Sequence, residues 1–247
     1  MFNPKLPLWN RVIFVDWNGV LSRDTFWTSI LGSDAHPLHD RLKSRVRHLF
    51  QNGDLINRWM RGDVGSTAII DALDMKLDAR FADGFLQRRL SRDCQEMEVN
   101  GGLIGLLSRA CARAFVVIAT DNMDCFYEQV LASRYKRRSN HRVIGRSPTL
   151  KNVVWRFDDI LCSSAVGTLK RDGPETFFGR WLERHDLSFQ EALLLDDREA
   201  NCCAFIRAGG EAIRVLGTDF EEDFRRLAPL ISEWLDNARG PKESCNA

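Results

Sequence analysis

Arg11-Val12-Ile13-Phe14-Val15-Asp16-Trp17-Asn18-Gly19-Val20-Leu21 runs four apolar residues into a single carboxylate, with a glycine three positions later. An apolar run of this length, bounded by turn residues, reads as an interior strand. Asp16 then stands at the carboxyl end of that strand, where open α/β sheets place their ligands. A carboxylate in such a place serves as a nucleophile or a metal ligand.

Three further elements follow. Ala114-Phe115-Val116-Val117-Ile118-Ala119-Thr120-Asp121-Asn122 is again an apolar strand, ending in a hydroxyl and polar turn residues. The Thr120 hydroxyl and the free backbone N–H groups of such a turn suit an anionic oxygen. Leu169-Lys170-Arg171-Asp172-Gly173-Pro174-Glu175 leads into a helix, because Pro174 and Glu175 belong in a first helical turn. Lys170 precedes that helix, with its ammonium set to meet a phosphate. Glu191-Ala192-Leu193-Leu194-Leu195-Asp196-Asp197 is a strand ending in paired carboxylates. Adjacent carboxylates repel unless a cation holds them, and Mg²⁺ is the usual ion for a site of a few carboxylates, water and phosphate.

The order of these motifs, from about Val12 to about Leu216, resembles the haloacid dehalogenase (HAD) superfamily. The run Asp196-Asp197-Arg198-Glu199-Ala200-Asn201, with Ala208-Gly209-Gly210 behind it, is similar to the last motif of that family. The resemblance implies an α/β fold: a Rossmann-like, mostly parallel sheet flanked by helices, with a helical cap of the C1 type inserted after the first strand. It implies that Asp16 is the nucleophile that becomes an aspartyl-phosphate, and that Thr120 and Lys170 bind the transferring phosphoryl group. Trp17, Gly19, Asp121 and Asn122 are expected in the phosphate-binding turns. Asp16, Asp197, Asp196 and the backbone carbonyl of Asn18 are expected to hold Mg²⁺.

Asn18 departs from the family pattern. Phosphatases of the family carry there a second Asp, which protonates the leaving group and later activates water. An amide does neither. The reading is therefore a Mg²⁺-dependent phosphatase or phosphotransferase for a small phosphorylated metabolite, slow or specialised in its chemistry. Two alternatives stand beside it: a catalytically silent phosphate- or protein-binding module, and an enzyme cleaving carbon–phosphorus or carbon–halogen bonds. The acidic pair Asp196-Asp197 argues against a metal-free dehalogenase.

The 247 residues suffice for one sizeable core carrying an insertion. Residues 1–22 and 97–240 read as the core, 23–96 as the helical cap and 241–247 as a flexible tail. Within 23–96 the apolar residues recur at helical spacing, as in Leu42, Val46 and Leu49, with Gly53, Gly62, Gly65 and Gly84 as punctuation. Phe26, Trp27, Arg58, Trp59 and Arg61 either line a pocket or pack helices together. A net charge of +1 implies no general affinity for nucleic acid. The basic stretch 134–156 leaves nucleic acid or an anionic partner open, against a solvated loop. Seven cysteines without metal-type spacing fit reduced thiols and a cytoplasmic location. No apolar run approaches the ~20 residues of a membrane span, and no signal-peptide pattern opens the chain.

Overall fold

The computed structural model describes residues 9–135, 148–217 and 219–237. The expected tail 241–247 and residues 136–147 of the basic stretch lie outside them. Among the described residues, β1 (Val12–Val15), β2 (Phe115–Thr120), β3 (Asp159–Cys162), β4 (Ala192–Asp196) and β5 (Glu211–Arg214) form one parallel sheet in the order β3-β2-β1-β4-β5.

The central strands are apolar throughout because both faces of the sheet are covered. Ile13 and Val15 point to one side, into the cluster that holds Leu103, Phe126 and Ile231. Val12 and Phe14 point to the other, against Phe178, Trp181 and Phe205. The Phe14 ring lies 4.8 Å from that of Phe178 and 5.4 Å from that of Trp181. Such ring pairs add about 0.5–1.5 kcal/mol each beyond the area they bury.

The chain leaves β1 in one direction across the sheet and returns on its other side at β4. That reversal is the point where open sheets bind ligands, beyond the carboxyl ends of the strands. The register sets which residues meet there. Val15 pairs with Ile118 on one side and Leu195 on the other. Asp16 therefore stands level with Ala119 and Asp196, one step from Thr120.

Between β1 and β2 the chain is helical, as its periodicity predicts: α1 (Thr28–Leu31), α2 (His39–Gln51), α3 (Gly53–Met60), α4 (Ser66–Ala72), α5 (Phe85–Glu96) and α6 (Gly101–Ala110). Beyond β2 come α7 (Asp124–Tyr135), α8 (Leu150–Val153), α9 (Ser163–Val166), α10 (Pro174–Arg184), α11 (Glu199–Arg207) and α12 (Phe220–Asp236). Pro174 opens α10, as expected of a residue with no N–H to lose. The two ends of the segment 23–96 are joined where they leave the sheet. Asn100 N–H donates to the Leu21 carbonyl (2.8 Å), and Glu98 N–H to the Asp24 carboxylate (2.6 Å).

Of the two readings of the aromatic residues in this segment, packing holds. Trp27 and Trp59 are fully buried. The Trp27 indole donates to the Leu86 carbonyl (3.1 Å), and the Phe26 ring lies 5.6 Å from that of Trp59. Asp124, at the start of α7, accepts from the Trp59 indole (2.8 Å), from Ser66 N–H (2.8 Å) and from the Ser66 hydroxyl. Ser163 donates to the Met60 carbonyl (2.6 Å). Gly62, at φ 78°, lies against the Ser164 carbonyl with no room for a Cβ. The turn 59–66 is thus bound to α7 and α9. No helix among the described residues is long and apolar enough to cross a membrane.

Gly62→Ala combines left-handed strain with a clash against backbone, neither of which a flexible side chain relieves. It should lower unfolding stability by about 1–3 kcal/mol, read as a lower denaturant midpoint. An unchanged midpoint would mean that the contact of Gly62 with Ser164 carries no stability.

Candidate functional site

Lys170 is the centre of the site. It follows a turn that brings it beneath the carboxyl ends of β1, β2 and β4, and its backbone N–H is fixed by the Asp121 carboxylate (2.9 Å). Its side chain is fully buried. The ammonium donates to the Ala119 carbonyl (3.0 Å) and to Asp196, and lies 3.0 Å from Asp16 Oδ2. Burial alone would lower its pKa, but Asp16, Asp196 and Asp121 outweigh that and hold it raised.

Asp16, Asp196 and Asp197 offer oxygens that all lie within 4.8 Å of one another. Burial pushes Asp16 up to about 7; Lys170 opposes the shift, and the nearby Asp196 adds to it. Asp197 is raised too, by burial and then by Asp196. Once all three are ionised, three carboxylates face one ammonium, an excess of two negative charges that their raised proton affinities already reflect. A divalent cation would neutralise that excess, so the donor set fits Mg²⁺.

The three carboxylates are not equivalent. Asp196 is saturated with donors: Arg198 N–H (2.9 Å), Asn201 Nδ2 (3.0 and 3.1 Å) and Lys170. Asp16 accepts Trp17 N–H at 2.7 Å and keeps its second oxygen toward Lys170. Asp197 leans over Gly19 so closely that a Cβ there would overlap its carboxylate. Gly19 is thus required twice, for that approach and for its φ of 82°. Asp16 and Asp197 keep oxygens free of such bonds and could hold a metal, while Asp196 is bonded to Lys170.

Thr120 is fully buried, and its hydroxyl has no hydrogen-bond partner among the described residues. It lies near enough to Asp16 to favour the charged carboxylate without completing a hydrogen bond. A buried orphan donor beside a nucleophile-type carboxylate suits an incoming anionic oxygen.

For two of the expected residues the side chain is committed elsewhere. The Trp17 ring does not face the site: it is fully buried, 5.3 Å from the Phe126 ring, and only the backbone N–H of this residue reaches Asp16. The Asn122 side chain is not free for phosphate. Its Nδ2 donates to Asn18 Oδ1 (2.8 Å) and its Oδ1 accepts from Met123 N–H (3.0 Å). Asn18 in turn donates through Nδ2 to the Asp24 carbonyl (3.0 Å). Asp121 acts on the backbone of Lys170. Three participants were not foreseen: Asn201 on Asp196, Ser163 on Asn122 N–H (2.9 Å), and Asp124 under the turn 59–66. Asn201 stood in the acidic motif itself, five residues after Asp196.

No family model and no curated protein matches the sequence. Solved structures do. A predicted HAD-like family hydrolase from Porphyromonas gingivalis superposes with a TM-score of 0.63 at 14% identity, over 92% of this chain and 98% of that one. A HAD family enzyme from Bacteroides thetaiotaomicron, in complex with magnesium and inorganic phosphate, gives 0.59 at 14% identity over 85% and 96%. The L-2-haloacid dehalogenase of Xanthobacter autotrophicus gives 0.55 at 12% identity over 90% and 82%. The chain therefore has the fold of the HAD superfamily.

Asp197→Ala removes an open oxygen ligand without touching the donors that hold Asp196. Its affinity for Mg²⁺ should fall at least roughly tenfold in a calorimetric titration. An affinity equal to wild type would remove Asp197 from the metal site.

Proposed function

We propose that this protein is a Mg²⁺-dependent HAD-type hydrolase of small phosphorylated metabolites, working through an aspartyl-phosphate on Asp16. The observation that carries this reading is the charge imbalance of the site: three converging carboxylates, one ammonium, and the orphan hydroxyl of Thr120 beside them. A metal-free mechanism has no use for that excess of negative charge. The relative crystallised with magnesium and phosphate supports the same direction.

Asp16 attacks phosphorus in line, a bond forms from its oxygen to phosphorus, and the bond from phosphorus to the leaving oxygen breaks. Lys170 and Thr120 hold the phosphoryl oxygens whose charge must be matched in the transition state. Mg²⁺ held by Asp16, Asp197 and the Asn18 carbonyl would supply Lewis-acid neutralisation of that charge. Water then attacks phosphorus, releasing inorganic phosphate and restoring the Asp16 carboxylate. The helical segment 23–96 serves as the cap that keeps bulk water from the site.

Asn18 decides which esters turn over. Its amide has no proton to give, and both its polar atoms are engaged, with Asn122 and with the Asp24 carbonyl. Leaving groups that depart as weak bases, such as aryl or acyl esters, need little protonation. Alkyl and sugar phosphates need it greatly, and a missing acid–base costs ~10²–10⁴ in rate. The same engagement of Asn18 favours a second reading, a phosphate-binding protein without turnover.

The test is turnover of a phosphate-ester panel with Mg²⁺. Wild type should hydrolyse aryl and acyl phosphates, and Asp16→Asn should abolish this. In Asn18→Asp, one new oxygen would face the Asp24 carbonyl, which favours a protonated carboxyl. Alkyl phosphate turnover should then rise on the order of 10²-fold, well above the gain for aryl esters. Equal gains for both classes would show that protonation of the leaving group is not what Asn18 lacks. A wild type that binds phosphate but never labels Asp16 would establish the silent reading.

A further inference from the structure

The helical segment between β1 and β2 holds a cavity of about 440 Å³ between the end of α4 and the start of α5. Sites for small molecules run from ~300 to 1,000 Å³. None of the residues lining this one belongs to the Asp16–Lys170 site. Much of the lining is apolar, from Ile70, Met75, Leu77 and Phe85.

One polar atom of the lining residues is stranded. Gln87 Oε1 is buried and has no hydrogen-bond partner among the described residues. A buried acceptor left unpaired costs stability, and each such atom in a folded protein needs a reason. A ligand that donates to it supplies one, because binding cavities set a few polar groups in an apolar lining to orient what they hold.

Two opposite charges share the lining. Asp71 and Lys76 form no ion pair among the described residues, whereas Asp74 is taken by Arg45 at 3.6 Å. The turn that carries Lys76 is tied to α2 as well, by Arg41 Nη2 donating to the Lys76 carbonyl (2.8 Å). The backbone of the site is thus in place before a ligand arrives, which reduces the ordering cost of binding.

We infer that this cavity is a second binding site, for an apolar α-amino acid. The ligand's ammonium donates to Gln87 Oε1 and pairs with Asp71, its carboxylate pairs with Lys76, and its side chain lies against Ile70, Leu77 and Phe85. A simple amine would leave Lys76 unmatched, and a simple carboxylic acid would leave Asp71 and Gln87 unmatched. The inference is independent of the phosphoryl reading of the Asp16 site.

Calorimetry with L-phenylalanine, 2-phenylethylamine and 3-phenylpropanoate tests it, because each analogue lacks one of the two charges. Wild type should bind phenylalanine roughly tenfold more tightly than either analogue, as one charge-assisted hydrogen bond predicts. Lys76→Gln should remove the preference over the amine, and Asp71→Asn the preference over the acid. Gln87→Leu should weaken phenylalanine binding roughly tenfold, while its denaturant midpoint holds or rises because a buried unpaired oxygen is gone. A residue with a purely structural role would not separate those two readings. Asp16→Asn should bind phenylalanine as wild type does. A wild type that binds no phenylalanine, or binds either analogue as tightly, overturns the inference. So does a Gln87→Leu that keeps full affinity, and so does an Asp16→Asn that loses it, since the ligand would then sit in the catalytic site.

Discussion

A fully buried ammonium held between two carboxylates organises this molecule. Lys170 is far too costly to desolvate alone, and Asp16 and Asp196 are too close to each other to be charged without it. Each is tolerable only through the others. The sheet supplies this arrangement by register: parallel pairing of β1 with β4 puts Asp16 level with Asp196, and the turn before α10 lifts Lys170 beneath both. Removing one charge would strand the remaining two in a place where water cannot compensate. The rings of Phe14, Phe178 and Trp181 pack together on one face of the sheet behind those strand ends.

The amides extend this order outward. Asn18, Asn122 and Ser163 form a chain of hydrogen bonds from the turn after β1, across the end of β2, to the Met60 carbonyl of the helical segment. The position where the related phosphatases use an acid is thereby built into the scaffold. Its side chain joins parts of the structure instead of exchanging protons. The HAD-type fold thus carries at this point a group with a geometric task.

The fold was legible because its signals are local. Three apolar runs that lead into Asp16, Thr120 and the pair Asp196-Asp197 define strand ends, and strand ends define a site; Lys170 is marked instead by the helix start at Pro174. The helical spacing of Leu42, Val46 and Leu49 likewise marks the insertion without any long-range knowledge. Other roles depend on neighbours far along the chain and leave no local trace. Asp124 reads as an ordinary first-turn acid of α7, yet its carboxylate is spent on Trp59 and Ser66, 65 and 58 residues away. Trp17 shows the same limit. Its sequence position beside Asp16 puts its backbone in the site, but its side chain enters the core below, against Phe126. Nothing local to Asn122 reveals that its side chain is held by Asn18.

The anchoring of the helical segment also fixes an order of events during synthesis. Residues of α3 and α4 leave the ribosome well before the groups that hold them. Trp59 waits for Asp124, Met60 for Ser163 103 residues later, and Arg61 for Asp172 111 residues later. Helices this short are marginal in water without tertiary partners. Until the chain has grown past β3, the apolar faces carrying Trp59 and Ile69 have only their own segment to pack against. The growing protein therefore passes through a stage in which its insertion is made but not docked, and exposed apolar surface at that stage is where chaperones act and aggregation begins.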